Sequence, residues 1–310
     1  MKYLNIILND LSVFPCCEHL ATSKEITEEI LSAGIKYAEE NSCQINVFYP
    51  KGEVSGKIQK ILSATPHTRV IHTAMKSRKG DVVVMDDWTD LELLEYSPTV
   101  QYVIKTSKKE LEKNWQNLPL NQYIRFDVVV DDIAGMKDED LAAYHMILAN
   151  MAEAMADSYA KGRYMHCNIL TDRISLRSMH NCGAGETHIT LAPDGNFYIC
   201  PAFYFTQMKD LGSCLGGLNI KNQQLYSIGY APICKHCDAF HCKRCIWLNK
   251  KLTLEVNTPS HEQCVVSHIE RNASRQLFLQ AQDKMGKDQS CDIPELLYLD
   301  PFEDRLNWLK

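Results

Sequence analysis

The 310-residue chain lacks long apolar runs and an excess of basic charge, and these absences exclude several large classes of protein. None of its apolar stretches approaches the roughly 18 residues that would span a membrane. Its opening apolar run is also too short for a secretory signal. The net charge is −6, whereas a nucleic-acid surface requires a basic face. We therefore expect a cytoplasmic protein that has neither a membrane nor a nucleic acid as its partner.

The motifs of several common enzyme classes are absent as well. The sequence has no glycine-rich phosphate loop, no G-x-S-x-G elbow and no H-E-x-x-H zinc motif. Acidic pairs at Asp86-Asp87 and Asp131-Asp132 follow predicted strands, which is where α/β folds place catalytic groups. The same pairs are also ordinary turn and cap residues. Whether the chain is an enzyme is therefore left open by these residues.

Short apolar segments alternate with helical patterns over residues 1–175. Strands are predicted at residues 3–8, 44–49, 69–72, 81–85, 101–105, 124–130 and 164–170. Most are rich in β-branched or aromatic residues, which is typical of a buried, largely parallel sheet. The alternation predicts an α/β layer or a partial barrel.

Three helices are predicted with defined ends. The first begins at Thr22, whose hydroxyl forms a capping box with Glu25, and its expected inward face is Ile26, Ile30, Ala33 and Tyr37. The second covers residues 138–161 and ends at Gly162; its expected inward face is Leu141, Tyr144, Leu148, Met151, Met155 and Tyr159. The third covers residues 261–285.

Seven of the thirteen cysteines form a spaced set in the second half of the chain. They are Cys182, Cys200, Cys234, Cys237, Cys242, Cys245 and Cys264. In a reducing compartment such clusters indicate metal binding or catalysis rather than disulfides. Thiolates at short, paired spacings suit zinc or an iron–sulfur cluster.

Two local patterns organise this set. A Pro193-Asp194-Gly195 turn joins predicted strands at residues 187–191 and 196–199, and the resulting hairpin brings Cys200 back beside Cys182. The second pattern is the C-x2-C-x4-C-x2-C knuckle group (Cys234, Cys237, Cys242 and Cys245). Its neighbours Lys235, Lys243 and Arg244 are either partial counter-charges for thiolates or ordinary surface residues.

The Cys-Gly-Ala-Gly opening at Cys182, the C-x12-G-x4-C spacing, the knuckle group and the late Cys264 together resemble a SPASM domain over about residues 180–268. That resemblance implies two auxiliary 4Fe–4S clusters. The first set of ligands would be Cys182, Cys200 and Cys245. The second set would be Cys234, Cys237, Cys242 and Cys264.

Two departures from the family pattern leave alternatives open. The usual knuckle spacing is C-x2-C-x5-C-x3-C, and this chain is one residue shorter in each of the last two gaps, so zinc remains an alternative metal. The first set also lacks a fourth cysteine just upstream of Cys182. His180, Cys167, Cys214 or an open iron would fill that position.

The first half of the chain resembles a degenerate radical SAM barrel. It lacks the C-x3-C-x2-C triplet of that family, because Cys16 and Cys17 are adjacent and the next cysteine is Cys43. No S-adenosylmethionine site is therefore expected. The expected domains are a radical SAM-like α/β domain at 1–175, a SPASM-like domain at 176–268, and a C-terminal helix and tail at 269–310.

The whole pattern is similar to that of SPASM-bearing peptide maturases, such as the CXXX-repeat peptide maturases. The resemblance implies an iron–sulfur accessory protein that binds a precursor peptide or a partner radical SAM enzyme. It would support peptide modification by positioning the substrate or transferring electrons. The alternative is a zinc-stabilised peptide-binding module with no redox role.

Overall fold

A computed structural model describes residues 1–14, 24–179 and 181–286 of the chain. It divides into two compact units. Unit one consists of Met1–Met85 and Cys182–Tyr230, and unit two consists of Asp86–Asn181 and Ala231–Lys310. The domain boundaries expected at residues 175 and 268 stay a prediction.

The described residues contain the following strands and helices. The strands are β1 (Tyr3–Ile7), β2 (Gln44–Phe48), β3 (Thr68–His72), β4 (Val82–Met85), β5 (Gln101–Thr106), β6 (Arg125–Val130), β7 (His166–Cys167), β8 (His188–Leu191), β9 (Phe197–Tyr198), β10 (Gly212–Ser213) and β11 (Gly217–Leu218). The α-helices are α1 (Glu28–Glu40), α2 (Gly56–Ser63), α3 (Lys108–Asn114), α4 (Asp138–Ala160), α5 (Asn168–Ser175), α6 (Pro201–Phe205), α7 (Ile246–Thr253) and α8 (His261–Met285). Among these helices none is long and apolar enough to cross a membrane.

Unit one is built on a mainly parallel sheet in the order β4-β3-β2-β1-β8-β9. Tyr3 of β1 lies opposite Gln44 on one side and His188 on the other, so β8 extends the parallel sheet beside the first strand of the chain. Only β9 runs antiparallel in this set, paired with β8. Helix α1 packs closely on the sheet at Gly34, which faces Leu191 and Ile6.

Unit two contains the parallel strands β7-β6-β5 and a layer of helices. The long helix α8 packs against α4 and α5. Its first turn is fixed by Ser260 and Gln263, which form a capping box, and it ends at Gly286 in the left-handed conformation. The knuckle group lies in this unit, just before α7 and α8 in the chain.

The α/β class and the largely parallel pairing are confirmed, as are the helices at 138–161 and 261–285. The strand expected at 164–170 is wrong in length: β7 has two residues, and α5 begins at Asn168. The reason is the Asn168 side chain, which accepts from Val128 N at 2.8 Å and donates to Val128 O at 2.9 Å, replacing the strand ladder at that point. The short helices α6 and α7 had no counterpart in the sequence prediction.

The predicted start of the first helix is also wrong. Thr22 lies outside the described residues, and α1 begins at Glu28 with the Thr27 hydroxyl accepting from Ile30 N. Glu25 instead forms an antiparallel bridge with Asn9. The buried face of α1 consequently differs from the expected one; it is Leu31, Gly34, Ile35 and Ala38.

Candidate metal centre

Three thiols of the knuckle group lie near enough in unit two for Cys237 and Cys242 to act electrostatically on Cys234. Cys234 lies in the short 3-10 turn Cys234–His236 and is buried. Burial, together with the negative neighbours Cys242 and Cys237, raises the pKa of the Cys234 thiol to about 12. Three thiols so placed would repel each other as bare thiolates. A bound cation removes that repulsion, because it displaces the protons and neutralises the charge.

Backbone N–H groups already point at two of these sulfurs. Ala239 N lies 3.4 Å from Cys237 Sγ, and Arg244 N lies 3.4 Å from Cys242 Sγ. Each donor follows its cysteine by two residues, so the turn itself aims the N–H at the sulfur. A neutral thiol is a weak acceptor, and an ionised sulfur makes a stronger, charge-assisted bond. These two N–H groups would therefore bond more strongly to metal-bound sulfurs than to neutral thiols.

Helix α8 brings further side chains that could bind a metal or a thiolate close to the knuckle group. Cys264 lies in its first turn, and His268 follows four residues later on the same helix face. His268 is buried, and its Nε2 lies 3.5 Å from Cys237 Sγ. The Ser267 hydroxyl and Arg244 N oppose the rise that burial causes in the pKa of Cys242.

A buried network of hydrogen bonds connects the knuckle group to helices α4 and α8. Glu270 of α8 accepts a hydrogen bond from Tyr144 OH at 2.8 Å and lies 2.9 Å from His241 Nε2. His241 directly precedes Cys242, so the network reaches the ligand segment itself. Burial and the negative Glu270 raise the pKa of Tyr144 well above its usual value.

The segment between Cys237 and Cys242 is also anchored by charge. Asp238 accepts from Arg271 Nη1 at 2.9 Å and lies 3.6 Å from Arg173 Nη2. The Arg173 guanidinium stacks over the Phe240 ring at 4.4 Å. These contacts tie the four-residue gap to α5 and α8, which is what a rigid ligand loop requires.

The basic residues of the knuckle group have different roles. Arg244 is buried, and its positive charge opposes the rise that burial causes in the pKa of Cys234 and Cys242. Its role as a counter-charge for ligating thiolates stays a prediction. Its Nη1 also donates to Asn257 at 2.7 Å. Lys243 is exposed, and it opposes the rise that burial causes in the pKa of Asp127.

The predicted hairpin of unit one is confirmed. Strands β8 and β9 pair antiparallel around a turn in which Gly195 has a φ of +83°. If the pairing register of β8 and β9 is continued by two residues beyond Thr190 and Tyr198, Cys200 lies opposite His188. The Gly183 carbonyl accepts from His188 N at 2.8 Å, which places Cys182 at this same open end of the hairpin. Cys245 belongs to unit two, so the first set remains a prediction.

The candidates for a fourth ligand of the first set differ in their placement. Cys214 N donates to Gly195 O at 2.9 Å, so Cys214 lies at the turn of the hairpin rather than at its open end. Cys167 is fully buried in unit two, and burial raises the pKa of its thiol strongly. His180 lies outside the described residues, as do Cys16 and Cys17.

Across the described residues, no group of three or more His, Cys, Asp and Glu side chains has the arrangement that holds a metal ion. The clusters and the zinc alternative therefore stay predictions. The chemistry of the donor set nevertheless fits a thiolate-bound metal, because two sulfurs accept backbone N–H groups and the positive charge of the buried Arg244 acts on Cys234 and Cys242.

Sequence reasoning missed His268 and Glu270. His268 could have been found from its spacing, since it lies one helical turn after the predicted ligand Cys264. Glu270 gave no such signal, because its partners Tyr144 and His241 are distant in sequence.

No protein-family model matches the chain. No curated protein matches it either. Among solved structures, a polyhistidine-tagged anSMEcpe with bound AdoMet is similar, with 12% sequence identity, a TM-score of 0.56, and coverage of 92% of this chain and 98% of that one. Streptococcus suis SuiB bound to S-adenosylmethionine has 12% identity and covers 84% of this chain and 74% of its own, with a TM-score of 0.44.

The likeness to anSMEcpe shows a shared fold and nothing more, because the identity is only 12%. The class of protein that the fold defines is thus an α/β protein with a radical SAM-like fold. Its parallel strands and connecting helices are consistent with the partial barrel expected from the sequence.

Proposed function

We propose that this chain is a metal–thiolate accessory protein that works with a radical SAM enzyme in modifying a ribosomally made peptide. The observation that carries the proposal is the gathering of Cys234, Cys237 and Cys242, with two backbone N–H groups aimed at their sulfurs. It occurs in a chain of radical SAM-like fold whose sequence has no C-x3-C-x2-C triplet.

The second set would hold the metal group in unit two, with Cys264 supplied by α8. A 4Fe–4S cluster bound there would supply one-electron transfer. Arg244 supports such a group by offsetting the thiolate charge, and the network of Tyr144, Glu270 and His241 keeps the ligand segment in place. A second cluster at the first set follows from the SPASM resemblance.

The radical chemistry in this proposal belongs to the partner enzyme. Because the sequence lacks the C-x3-C-x2-C triplet, we expect no cluster of the kind that binds S-adenosylmethionine in this chain. Its own contribution is to position the precursor peptide or to pass electrons. We place the chain in the cytoplasm because its cysteines have the paired spacings of metal ligands, which are typical of a reducing compartment.

The first test asks whether the chain acts alone. Anaerobically reconstituted protein is incubated with S-adenosylmethionine and dithionite, and 5′-deoxyadenosine is measured by chromatography. We expect none above the background of a Cys16→Ala/Cys17→Ala control. Formation of 5′-deoxyadenosine that the control variant loses would contradict an accessory role.

The second test asks what the chain adds to a peptide-modifying reaction. A radical SAM enzyme is assayed on a peptide with cysteine at every fourth position, with and without this chain, and modification is followed by mass spectrometry. We expect faster or more complete modification when the chain is present. Equal modification in its absence would defeat the proposal.

A zinc-stabilised peptide-binding module is the second candidate. It is favoured by the shortened knuckle spacing, since C-x2-C pairs also build tetrahedral zinc sites. The same assay separates the two candidates when the protein is loaded with zinc alone. Full support of modification by the zinc-loaded chain indicates positioning only, whereas electron transfer requires the iron-loaded form.

A further inference from the structure

We infer that His268 donates a hydrogen bond to the Cys237 thiolate and thereby raises the reduction potential of the cluster held by the second set. The inference rests on the proposed function, because it concerns a 4Fe–4S cluster at Cys234, Cys237, Cys242 and Cys264. It assigns His268 a positioning and tuning role, and it leaves the four cysteines as the ligands.

The geometry places the imidazole in hydrogen-bond contact with one ligand and on the same helix as another. His268 Nε2 lies 3.5 Å from Cys237 Sγ, within the reach of a bond to sulfur. His268 is 4% exposed, so water does not compete for that contact. Cys264 lies one turn earlier on α8, and the helix therefore fixes the imidazole relative to a second ligand.

The direction of this hydrogen bond follows from the chemistry of a metal-bound cysteine. A ligating sulfur has lost its proton and can only accept. The facing Nε2 must then carry the ring proton, which fixes the tautomer of a neutral His268. Ala239 N donates to the same sulfur at 3.4 Å. Cys237 therefore receives one backbone and one side-chain donor.

Such a bond shifts the reduction equilibrium in a predictable direction. One electron added to the cluster increases the negative charge on its sulfur ligands, and a donor bonds more strongly to the more negative acceptor. Burial strengthens the effect because the local dielectric is low. Hydrogen bonds to the sulfurs are a recognised determinant of cluster potentials. Removing the donor should therefore favour the oxidised cluster.

The test compares two substitutions at one position with a matched control. Wild type, His268→Leu, His268→Gln and His166→Leu are prepared as the full chain and reconstituted anaerobically. His166 lies on β7 and is exposed, so its variant repeats the same change away from the centre. Iron and sulfide content is measured first, and then the midpoint potential by dithionite titration with EPR detection.

We expect all four proteins to hold the same iron and sulfide. His268→Leu should shift the reduction equilibrium about tenfold toward the oxidised form, which is about 59 mV for one electron. His268→Gln keeps an N–H donor, so its midpoint potential should lie between those of wild type and His268→Leu. The midpoint potential of His166→Leu should match that of wild type. Equal potentials in wild type and His268→Leu, at full iron content, would overturn the inference.

Two further outcomes are distinguishable from that one. Loss of iron in both His268 variants, with strong nitrogen coupling in the pulsed EPR of wild type, would make His268 a ligand and would also overturn the inference. If His268→Leu does not fold, ¹⁵N-histidine labelling of wild type replaces it, and weak nitrogen coupling to the reduced cluster is expected; its absence overturns the inference. A wild type that holds no cluster defeats the proposed function itself.

Discussion

Tyr144 of α4 donates its hydroxyl hydrogen to Glu270 of α8 across 2.8 Å, and both side chains are buried. The other carboxylate oxygen of Glu270 lies 2.9 Å from His241, which precedes Cys242 in the chain. A single buried carboxylate thus links two long helices to the ligand segment. The position of the candidate metal centre therefore depends on how α4 and α8 pack.

The first prediction removes one partner of this link. Tyr144→Phe leaves a carboxylate oxygen of Glu270 buried without its donor, which should lower the free energy of unfolding by about 1–3 kcal/mol. Urea denaturation followed by circular dichroism measures the loss. The control is Tyr123→Phe, because Tyr123 is 66% exposed and its change should be within about 0.5 kcal/mol. Equal stability of the two variants would remove the structural role given to the Tyr144–Glu270 bond.

The second prediction concerns the close packing of α1 on the sheet of unit one. A methyl group at Gly34 would collide with Cδ2 of the buried Leu191, so Gly34→Ala should lower the free energy of unfolding by about 1–3 kcal/mol. Gly56→Ala is the matched control on α2, where a methyl group meets nothing within 4 Å. That change should stabilise the protein by about 0.4–1 kcal/mol.

Combining Gly34→Ala with Leu191→Val tests the cause of this effect. If the collision is responsible, the smaller side chain should make Gly34→Ala less costly in the double variant than in wild type. A Gly34→Ala cost that is unchanged by the second substitution would show that the packing at this point is described wrongly.

The third prediction is a dependence of stability on pH that originates at Asp127. Burial raises the pKa of Asp127, with Asp172 acting in the same direction and Arg125 and Lys243 opposing it. Gln101 Nε2 donates to its Oδ2 at 2.6 Å and also opposes the rise, which burial outweighs. The folded chain therefore keeps a proton at pH values where the unfolded chain has lost it, above the usual value of about 3.9.

The sign follows from proton binding. Between the two pKa values the folded state binds more protons, so the free energy of unfolding should fall as the pH rises through that window. Asp127→Asn should remove this decline and make the protein more stable than wild type above it. Urea midpoints measured from pH 4 to pH 7 give the comparison, with the exposed Asp283→Asn as control. The same decline in Asp127→Asn and wild type would contradict the assignment.

Several parts of the fold could be predicted from local sequence, and others could not. Helix α8 has the expected ends because Ser260, Gln263 and Gly286 fix them by backbone chemistry alone. The end of β7 could not be predicted, because it is set by the contact of Asn168 with Val128, forty residues away in sequence. A pattern of apolar residues carries no information about such a long-range side-chain bond.

Part of the candidate site could also be predicted from the sequence, and part of it could not. Cysteine spacing singled out Cys234, Cys237 and Cys242, and the last two act electrostatically on the pKa of Cys234 in the folded chain. The approach of His268 to Cys237 depends on the placement of α8 against the knuckle group, which no local pattern encodes. The grouping of Cys182 and Cys200 with Cys245 also depends on long-range packing, and it stays a prediction.

The most direct measurement is the iron, sulfide and zinc content of anaerobically purified and reconstituted protein. The account predicts about eight irons and eight sulfides per chain, and about four of each in Cys234→Ser/Cys242→Ser. A Cys43→Ser control, outside both sets, should keep them all. Stoichiometric zinc without iron would contradict the electron-transfer role and leave the zinc-stabilised module. A chain that binds neither metal would contradict the account as a whole.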